Sequence, residues 1–358
     1  MNSTPAVVRP NAVTEPVNSR PLSIASAMDT RVCVAAALLS LSLLASIFQF
    51  FARDSLQPLA WFYYATPPTV IAFLAVVGWF VLRKSPRARA VRRFACVFAV
   101  GQVGMLAASY HSSDAVGGEY SVGMWNVCSG NMGWDAVVAE VRSWDADIIG
   151  LAESHLHHAE EDPLSREDFW RDSFPEHHTL RFPGGMRLIT RSPARTISFG
   201  ELDEGSEFGV AATSVGGRTV YVVMADILSR PTMDRGPSFR KLHREVSKLP
   251  RHVPIIVMGD MNTPTKSVHF DSFRTDFRNA FEEKGNGFYH SWPMPFPVLP
   301  LDQIWSNNGI EVGTCSLGMT VRSDHRPVLM SFNLCEENRL DQHESSPRVT
   351  QRSTSERN

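Results

Sequence analysis

The first third of the chain has long uncharged stretches, whereas the rest alternates short apolar and polar segments. Uncharged runs cover residues 32–51 and 59–82, and a run of 17 residues at 94–110 contains glycine and glutamine. A membrane-spanning helix needs about 20 apolar residues. The pattern therefore predicts a membrane anchor over residues 32–110 with about three spans. For 94–110, the shortest run, the alternative is an interfacial or buried helix.

After residue 119 the apolar runs shorten to four to eight residues and are rich in β-branched side chains. Such runs, bounded by turn residues, are typical of buried strands. We predict strands over 120–126, 147–153, 186–190, 219–225, 253–258, 301–305 and 328–332. Helical spacing predicts helices over 134–144 and 238–249. Strands with interspersed helices, and no G-x-G-x-x-G motif, indicate a layered α/β domain over residues 120–335.

Polar segments flank these two regions. Residues 1–31 and 336–358 are polar and lack periodicity, so we predict disordered tails. Residues 111–119 are interpreted as a linker. Positive charge concentrates after the second span, at Arg83, Lys84, Arg87, Arg89, Arg92 and Arg93. Because cytoplasmic loops carry the excess of Lys and Arg, three spans place the domain outside the cytoplasm. Two spans would leave it inside.

The domain is acidic. Between Glu119 and Cys335 it has 21 Lys and Arg against 28 Asp and Glu, a net charge of −7. Proteins that bind nucleic acid without sequence preference usually present a basic face. Nucleic acid is therefore a less favoured partner. The three cysteines of the domain form no metal-binding motif, and their pairing stays open.

Polar residues end most of the predicted strands. They are Asn126, Glu153, Asp260 with Asn262, Asp302, and the triplet Ser323-Asp324-His325. Each residue alone is an ordinary strand-end or turn residue. Together they supply what metal-assisted phosphate ester hydrolysis requires. Carboxylate and amide oxygens suit a Mg²⁺-like ion, one group activates water, and donors stabilise the developing charge.

The segments that carry these residues resemble the endonuclease/exonuclease/phosphatase superfamily, which has the DNase I-like fold. The most specific are GDMN at 259–262, LDQIW at 301–305 and SDHRP at 323–327. The resemblance covers residues 120–335. It implies a four-layer α/β sandwich and hydrolysis that depends on Mg²⁺ or Mn²⁺. The segment from GNG at 285–287 to HSWP at 290–293 looks like a membrane-anchored branch related to vancomycin-resistance-type proteins.

The resemblance also implies roles for the matched residues. Glu153 is similar to the main metal ligand of the superfamily, with Asn126 beside it and Asp324 near the metal. These three residues are the predicted metal set.

A second set is implied to act on water and phosphate. Asp260 resembles the residue that orients or deprotonates the attacking water, and Asn262 resembles a donor to the phosphate. His325 resembles the phosphate-side histidine. Asp302 resembles the carboxylate that fixes its tautomer and raises its basicity.

The chain departs from the superfamily at one position. Many members have a His-Leu pair at the end of the central strand, where this sequence has Asp226. A carboxylate there indicates a second metal, another substrate or reduced activity. Arg230, Arg235 and Arg240 follow this strand and are expected to meet an anionic head group or to form surface salt bridges. Trp292 is expected to form a substrate-facing wall or part of a rigid loop.

Three functions fit this set. The first is a membrane-anchored phosphoesterase that acts on phosphate or pyrophosphate esters, such as a lipid or polyprenyl carrier in the bilayer. The second is a membrane-anchored nuclease. The third is a catalytically silent binding domain of the same fold, which Asp226 favours and the complete polar set opposes, because a fold alone does not establish function.

Overall fold

The computed structural model describes residues 30–83, 89–114, 116–155 and 163–336, without the side chains of 163–166. The predicted disordered tails therefore lie outside the described residues, except for residues 30–31 and 336. The predicted linker at 111–119 and the predicted domain at 120–335 are largely described.

The N-terminal region is helical. Two of its helices are long and apolar enough to cross a membrane, Thr30–Ala52 and Arg89–Ala108. The first ends in a π-helical turn over Phe48–Ala52. The helices of this region are α1 (Thr30–Ile47), α2 (Ala60–Ala65), α3 (Pro68–Leu82) and α4 (Arg89–Ala108), with a 3₁₀ turn at Gln57–Leu59.

The run at 59–82 does not form the single continuous helix that its composition predicts. Helix α2 ends at Ala65, α3 begins at Pro68, and the two segments meet at an angle of 67°. The cause is the Pro67-Pro68 pair, since proline has no amide hydrogen to continue the helical ladder and its ring excludes the preceding turn. A third membrane crossing would consist of this bent pair.

The rest of the chain forms two mixed six-stranded sheets and the helices that cover them. In chain order the elements are β1 (Tyr120–Asn126), α5 (Trp134–Ser143), β2 (Ile148–Ala152), α6 (Pro163–Ser173), β3 (His178–Arg181), β4 (Arg187–Thr190), β5 (Ala194–Asp203), β6 (Ser206–Val215), β7 (Arg218–Asp226), α7 (Gly236–Val246), β8 (Ile255–Asp260), β9 (Arg278–Asn279), α8 (Ala280–Lys284), β10 (Asp302–Ser306), β11 (Ile310–Leu317) and β12 (Val328–Leu334). The first sheet has the strand order β11-β12-β1-β2-β4-β3, and the second has β5-β6-β7-β8-β10-β9.

Three apolar clusters define four layers. The central cluster lies between the sheets and includes Met124 and Met258. A second cluster packs α5 against the outer face of the first sheet through Val137 and Trp125. A third packs α7 against the outer face of the second sheet and includes Phe239. The order helix, sheet, sheet, helix confirms the predicted four-layer α/β sandwich.

The N-terminal region is tied to this sandwich by a buried carboxylate. Asp54, in the turn before α2, is fully buried. It accepts hydrogen bonds from the Tyr64 hydroxyl at 2.8 Å, from the Ser267 hydroxyl at 2.5 Å and from the Val268 amide at 2.9 Å. A buried carboxylate is tolerated only when such donors surround it. Asp54 therefore holds α2 against the loop that follows β8 in the second sheet.

Further contacts flank this attachment. Arg53 pairs with Asp271 through two hydrogen bonds of 2.7 and 3.0 Å. At the other end of the region, the His111 and Gly287 backbones exchange hydrogen bonds of 2.9 Å in both directions. The turn between α1 and α2 and the segment after α4 therefore both contact the sandwich.

The buried attachment should matter far more than the exposed one. We expect Asp54→Ala to lower the free energy of unfolding by about 2 kcal/mol or more, because it leaves two or three buried donors without an acceptor. Asp271→Ala removes a half-exposed pair and should cost less than about 1 kcal/mol. Urea unfolding of the full-length protein in detergent, followed by tryptophan fluorescence, measures both. An equal loss of unfolding free energy in Asp54→Ala and Asp271→Ala would contradict the role of Asp54 as the main attachment.

Candidate active site

Strand register in the second sheet places three carboxylates side by side. Strands β7 and β8 are parallel and end together, so that Asp226 pairs with Asp260. Strand β10 runs antiparallel to β8 and begins where β8 ends, so that Asp302 also pairs with Asp260. Neighbouring strands lie about 4.8 Å apart. The carboxyl end of β8 is therefore flanked by acidic residues on both sides.

The first sheet brings its polar residues to the same place. Strands β1 and β2 are parallel, with Asn126 opposite Ala152 and Glu153 immediately beyond. The Ser323-Asp324-His325 triplet precedes β12, which runs antiparallel to β1. The Ser323 hydroxyl donates to the Asn126 carbonyl at 2.8 Å, and the Trp125 indole donates to the His325 carbonyl at 2.9 Å. These bonds hold the triplet against the end of β1.

Asn126 joins the two sheets. Its amide nitrogen donates to Glu153 Oε1 and to Asp260 Oδ2, both at 2.9 Å. Its amide oxygen accepts from the Cys128 backbone at 2.9 Å. In this geometry the nitrogen, and not the oxygen, faces the carboxylates. Asn126 as a metal ligand therefore stays a prediction.

Two of the predicted site residues have left-handed backbone conformations. The φ angle is 51° at Glu153 and 45° at Asn262. This region is unfavourable for residues with a side chain and is enriched at functional sites, although asparagine tolerates it. The Asn262 amide donates to Asp260 Oδ1 at 3.0 Å, and its side chain donates to the Ile227 carbonyl at 2.8 Å. These bonds fix the turn that follows β8.

His325 forms a buried pair with Asp302. The imidazole Nδ1 and Asp302 Oδ2 are 2.7 Å apart, and Nε2 lies 3.9 Å from Asp260 Oδ2. Asp302 is fully buried, and its other oxygen has no hydrogen-bond partner in the described part of the chain. Ser291 fixes the start of β10 by accepting from the Asp302 amide at 3.1 Å. The imidazole therefore points at Asp260 from a fixed direction.

The electrostatics of this cluster follow from burial and mutual charge. Burial alone would lower the pKa of His325, but the carboxylates of Asp302 and Asp260 outweigh it and raise this pKa to about 10. Burial, and then the negative charge of Asp302, raise the pKa of Asp260 to about 6. Burial, and then the charge of Asp260, raise the pKa of Asp226 well above its ordinary value. The cluster thus combines a cationic imidazole with a basic carboxylate.

Trp292 reaches the opposite side of the same site. Its indole nitrogen donates to Asp324 Oδ2 at 3.1 Å, and its ring lies 6.4 Å from that of His325. Asp324 is exposed, unlike Asp302. Trp292 therefore orients an accessible carboxylate at the rim of the site.

The cluster opens into a cavity of about 670 Å³. Its polar lining includes Glu153, Asp226, Asp260, Asn262, Asp324 and His325. Its apolar lining includes residues from the N-terminal region, Trp61, Tyr64 and Ala65, together with Leu228, Trp292 and Leu299. One cavity therefore contacts both the polar cluster and the helix that precedes α3.

The structure places most, but not all, of the sequence-predicted residues here. Asn126 and Asp302 do not line the cavity, but each bonds to a residue that does, Asn126 to Asp260 and Asp302 to His325. Arg230 is exposed and is not among the lining residues, whereas Arg235 is buried and lines the cavity. Trp61 and Tyr64 are not predicted as site residues from the sequence, because they lie inside an apolar run that is typical of a membrane span. The Pro67-Pro68 pair in that run is the sequence feature that indicates a separate segment before α3.

Two sets of residues are candidates for holding a divalent cation. Ligand atoms of Asp260, Asp302 and His325 lie within 4.8 Å of one another. The 2.7 Å contact between Asp302 and His325 is, however, a hydrogen bond, which leaves this imidazole nitrogen no lone pair for a metal. Glu153 and Asp324, the carboxylates predicted from the sequence, both line the cavity. Hard divalent ions prefer such oxygens, so the second set suits the ion better.

Comparison with known proteins is consistent with this assembly. The sequence model of the Endonuclease/Exonuclease/phosphatase family matches residues 125–325. This range begins one residue before Asn126 and ends at His325. No curated protein matches the sequence.

Solved structures with a similar backbone include an endonuclease/exonuclease/phosphatase from Bacteroides vulgatus, with 18% identity and a TM-score of 0.48, covering 60% of this chain and 99% of that one. A TDP2 from D. rerio in complex with single-strand DNA product has 14% identity and a TM-score of 0.48, covering 60% and 98%. The mannosyl-6-phosphatase Bt3783 of Bacteroides thetaiotaomicron has 16% identity and a TM-score of 0.46, covering 60% and 100%.

The buried His325 and the half-buried His290 should titrate at opposite ends of the pH scale. Carboxylates raise the pKa of His325 to about 10, whereas burial, and then Arg326, lower that of His290 to about 4. Between these values, nitrogen-15 histidine NMR should show a charged His325 and a neutral His290. The His325 contribution to stability should be complete below about 6.5, the ordinary histidine pKa, and lost as pH rises through about 10.

Asp302→Asn is the matched test. It removes the negative charge beside the imidazole, so the His325 titration should move to lower pH, while His290 stays unchanged. A His325 midpoint near 6.5 in the wild type would contradict the pairing, as would an unchanged midpoint in Asp302→Asn.

Proposed function

Since this chain belongs to the endonuclease/exonuclease/phosphatase family of phosphoester hydrolases, we propose that it is a membrane-anchored, metal-dependent phosphoesterase for amphiphilic substrates. The substrates would be phosphate or pyrophosphate esters with an apolar tail, such as lipid or polyprenyl carriers. One observation carries the proposal. The cavity that holds the acidic cluster and His325 is also lined by Trp61, Tyr64 and Ala65 of the apolar N-terminal region.

Charge in the cavity supports the need for a divalent cation. Glu153, Asp226, Asp260 and Asp324 line it, against one guanidinium and one imidazole among the described residues. This excess of negative charge would repel a phosphate ester unless a cation offset it. The family generally depends on such an ion, and we expect Mg²⁺ or Mn²⁺, held by Glu153 and Asp324. Asn126 would join them as a ligand after its side-chain amide turns its oxygen, now bonded to the Cys128 backbone, toward the ion. Bound there, it would neutralise phosphate oxygens and so favour attack by water.

The protein side chains divide the remaining work. Asp260 has a raised pKa yet is largely ionised at neutral pH, so it suits a base that orients and deprotonates the attacking water. His325, kept protonated by Asp302, is placed to donate to a phosphoryl oxygen. Asn262 closes the turn beside Asp260, and its side-chain amide uses one N–H on the Ile227 carbonyl, which leaves the second N–H for a phosphate oxygen.

The cavity wall supports an apolar tail on the substrate. Trp61 is 45% exposed although it is large and apolar. Leu228, Leu299 and Trp292 extend the apolar lining toward the polar cluster. A substrate with a charged head and an apolar tail would contact both parts at once. A water-soluble nucleic acid would leave the apolar part uncovered, and the domain's net charge of −7 also disfavours it.

The attachment of the N-terminal region supports a three-crossing arrangement. The turn at Arg53 and Asp54 and the segment at His111 both contact the sandwich, so they lie on one side of any membrane. We propose that α1, the bent α2–α3 pair and α4 form three crossings, with α2 at the outer end of its pair, against the sandwich, and that the domain lies outside the cytoplasm. A reporter fused after Asn358 that reads as cytoplasmic would overturn this topology.

The branch assignment is part of the same proposal. The GNG and HSWP segments at 285–293 support membership of the membrane-anchored, vancomycin-resistance-type branch. The structure adds a reason for the first segment, because Gly287 bonds to His111 at the end of the N-terminal region. Its φ of 100° is accessible mainly to glycine.

Hydrolysis by the full-length protein in detergent micelles tests the function. With Mg²⁺, polyprenyl pyrophosphate should be turned over, supercoiled plasmid should not be nicked, and chelation should abolish turnover. Asp260→Asn should reduce kcat by at least about a hundredfold, since general-base catalysis contributes on that order. Asp276→Asn, a carboxylate remote from the cavity, should keep wild-type activity.

The other outcomes are decisive as well. Nicking of plasmid alone, lost in Asp260→Asn, would assign a nuclease. A folded, metal-supplied protein that hydrolyses neither substrate would indicate a silent binding domain, in which Asp226 is the first residue to change to histidine.

A further inference from the structure

Arg235 is a buried cation whose hydrogen-bonding capacity is largely unused. It directly precedes α7, is 3% exposed and lines the active-site cavity. Its Nε and Nη1 atoms have no hydrogen-bond partner in the part of the chain that the structure describes. Among the same residues, no carboxylate forms a salt bridge with it. A buried guanidinium normally meets such a partner, because an uncompensated charge is costly to bury.

The support for Arg235 comes from the N-terminal region. Its guanidinium carbon lies 4.4 Å from the centre of the Tyr64 ring, in a cation–π contact. The Tyr64 hydroxyl in turn donates to the buried Asp54. The ring covers one face of the guanidinium plane. Its N–H groups lie in that plane, and those of Nε and Nη1 have no partner among the described residues.

The cavity thus holds two cationic groups in two separate networks. His325 is held by Asp302 and points at Asp260. In the part of the chain that the structure describes, no hydrogen bond or salt bridge joins Arg235 to these residues, and its guanidinium rests on Tyr64 instead. A guanidinium fork is suited to two oxygens of one phosphoryl group. Two separate cationic positions in one cavity match two anionic groups of one substrate.

We propose that Arg235 binds a phosphoryl group of the substrate other than the one attacked, and that Tyr64 of the N-terminal region positions it. This inference rests on the proposed function and narrows it. The preferred head group is a diphosphate rather than a monophosphate, and the membrane anchor supplies part of the subsite that recognises it. Arg235 is then a specificity-determining residue and not part of the hydrolytic cluster.

Binding of inorganic anions tests the subsite without any turnover. Full-length Asp260→Asn protein in detergent, with Mg²⁺ at fixed concentration, would be titrated calorimetrically with pyrophosphate and with phosphate. Adding Arg235→Gln should weaken pyrophosphate binding about tenfold or more, since two charge-assisted hydrogen bonds are lost. Phosphate binding should change little. Arg235→Lys keeps the positive charge without the guanidinium fork. Its affinity for pyrophosphate should lie between the affinity of the protein with Arg235 intact and that of the Arg235→Gln variant.

Arg244→Gln is the matched control, because Arg244 is an exposed arginine of α7 outside the cavity lining. It removes the same charge and should leave both affinities unchanged. Equal weakening of phosphate and pyrophosphate by Arg235→Gln, or no weakening of either, would overturn the proposal. Thermal unfolding of each variant shows whether a loss of anion affinity is caused by misfolding. If Arg235→Gln is misfolded, the affinities of Arg235→Lys for pyrophosphate and phosphate test the proposal in its place.

Kinetics separate this inference from the function on which it rests. For polyprenyl diphosphate and monophosphate of equal chain length, Arg235→Gln should raise KM for the diphosphate about tenfold and leave the monophosphate within about twofold. If neither ester is hydrolysed by the wild type, the proposed function fails, yet the anion titration still reports on Arg235. If both esters lose activity equally, the proposed subsite is wrong and the function stands.

Discussion

The contact between Asp302 and His325 joins the two sheets at the point where the site forms. Asp302 begins β10 of the second sheet, whereas His325 precedes β12 of the first. Their 2.7 Å hydrogen bond is buried, and the Asn126 bridge to Asp260 crosses the same gap. The core between the sheets is formed by a large apolar cluster. The polar cluster is tolerated there because most of its hydrogen-bonding atoms are paired with one another and because the cavity opens beside them.

The same arrangement explains why the chemistry gathers at one edge. Parallel strands β1 and β2, and β7 and β8, all end there, and β10 and β12 start there because they run in the opposite direction. Six segments distant in sequence therefore contribute one or two polar residues each. The neighbouring carboxylates then raise the pKa of His325, and burial with the charge of Asp302 raises the pKa of Asp260. The direction of the strands therefore determines both where the polar residues meet and which charges act on one another there.

Much of this was predictable from sequence because the apolar runs were followed by distinctive polar residues. The four-layer fold and the family are confirmed, and the residues predicted to form the hydrolytic cluster come together. The β5–β6 hairpin was not predicted, because Ala, Gly, Ser and Thr dominate β6 and hide its strand pattern. The break at Pro67-Pro68 was overlooked because composition alone favoured a single span. Arg235 could not be told from its exposed neighbour Arg230, since only packing against Tyr64 distinguishes them.

The N-terminal region lines the cavity through Trp61, Tyr64 and Ala65, and we propose that this wall accepts an apolar tail of the substrate. The most direct measurement is kcat/KM of the full-length protein for alkyl phosphate esters of increasing tail length. We expect kcat/KM to rise with tail length in the wild type and in Phe199→Ser, whose exposed aromatic ring lies outside the cavity. The rise should be much smaller in Trp61→Ser. Equal slopes in all three proteins, or no dependence on tail length, would contradict a tail-binding wall at Trp61.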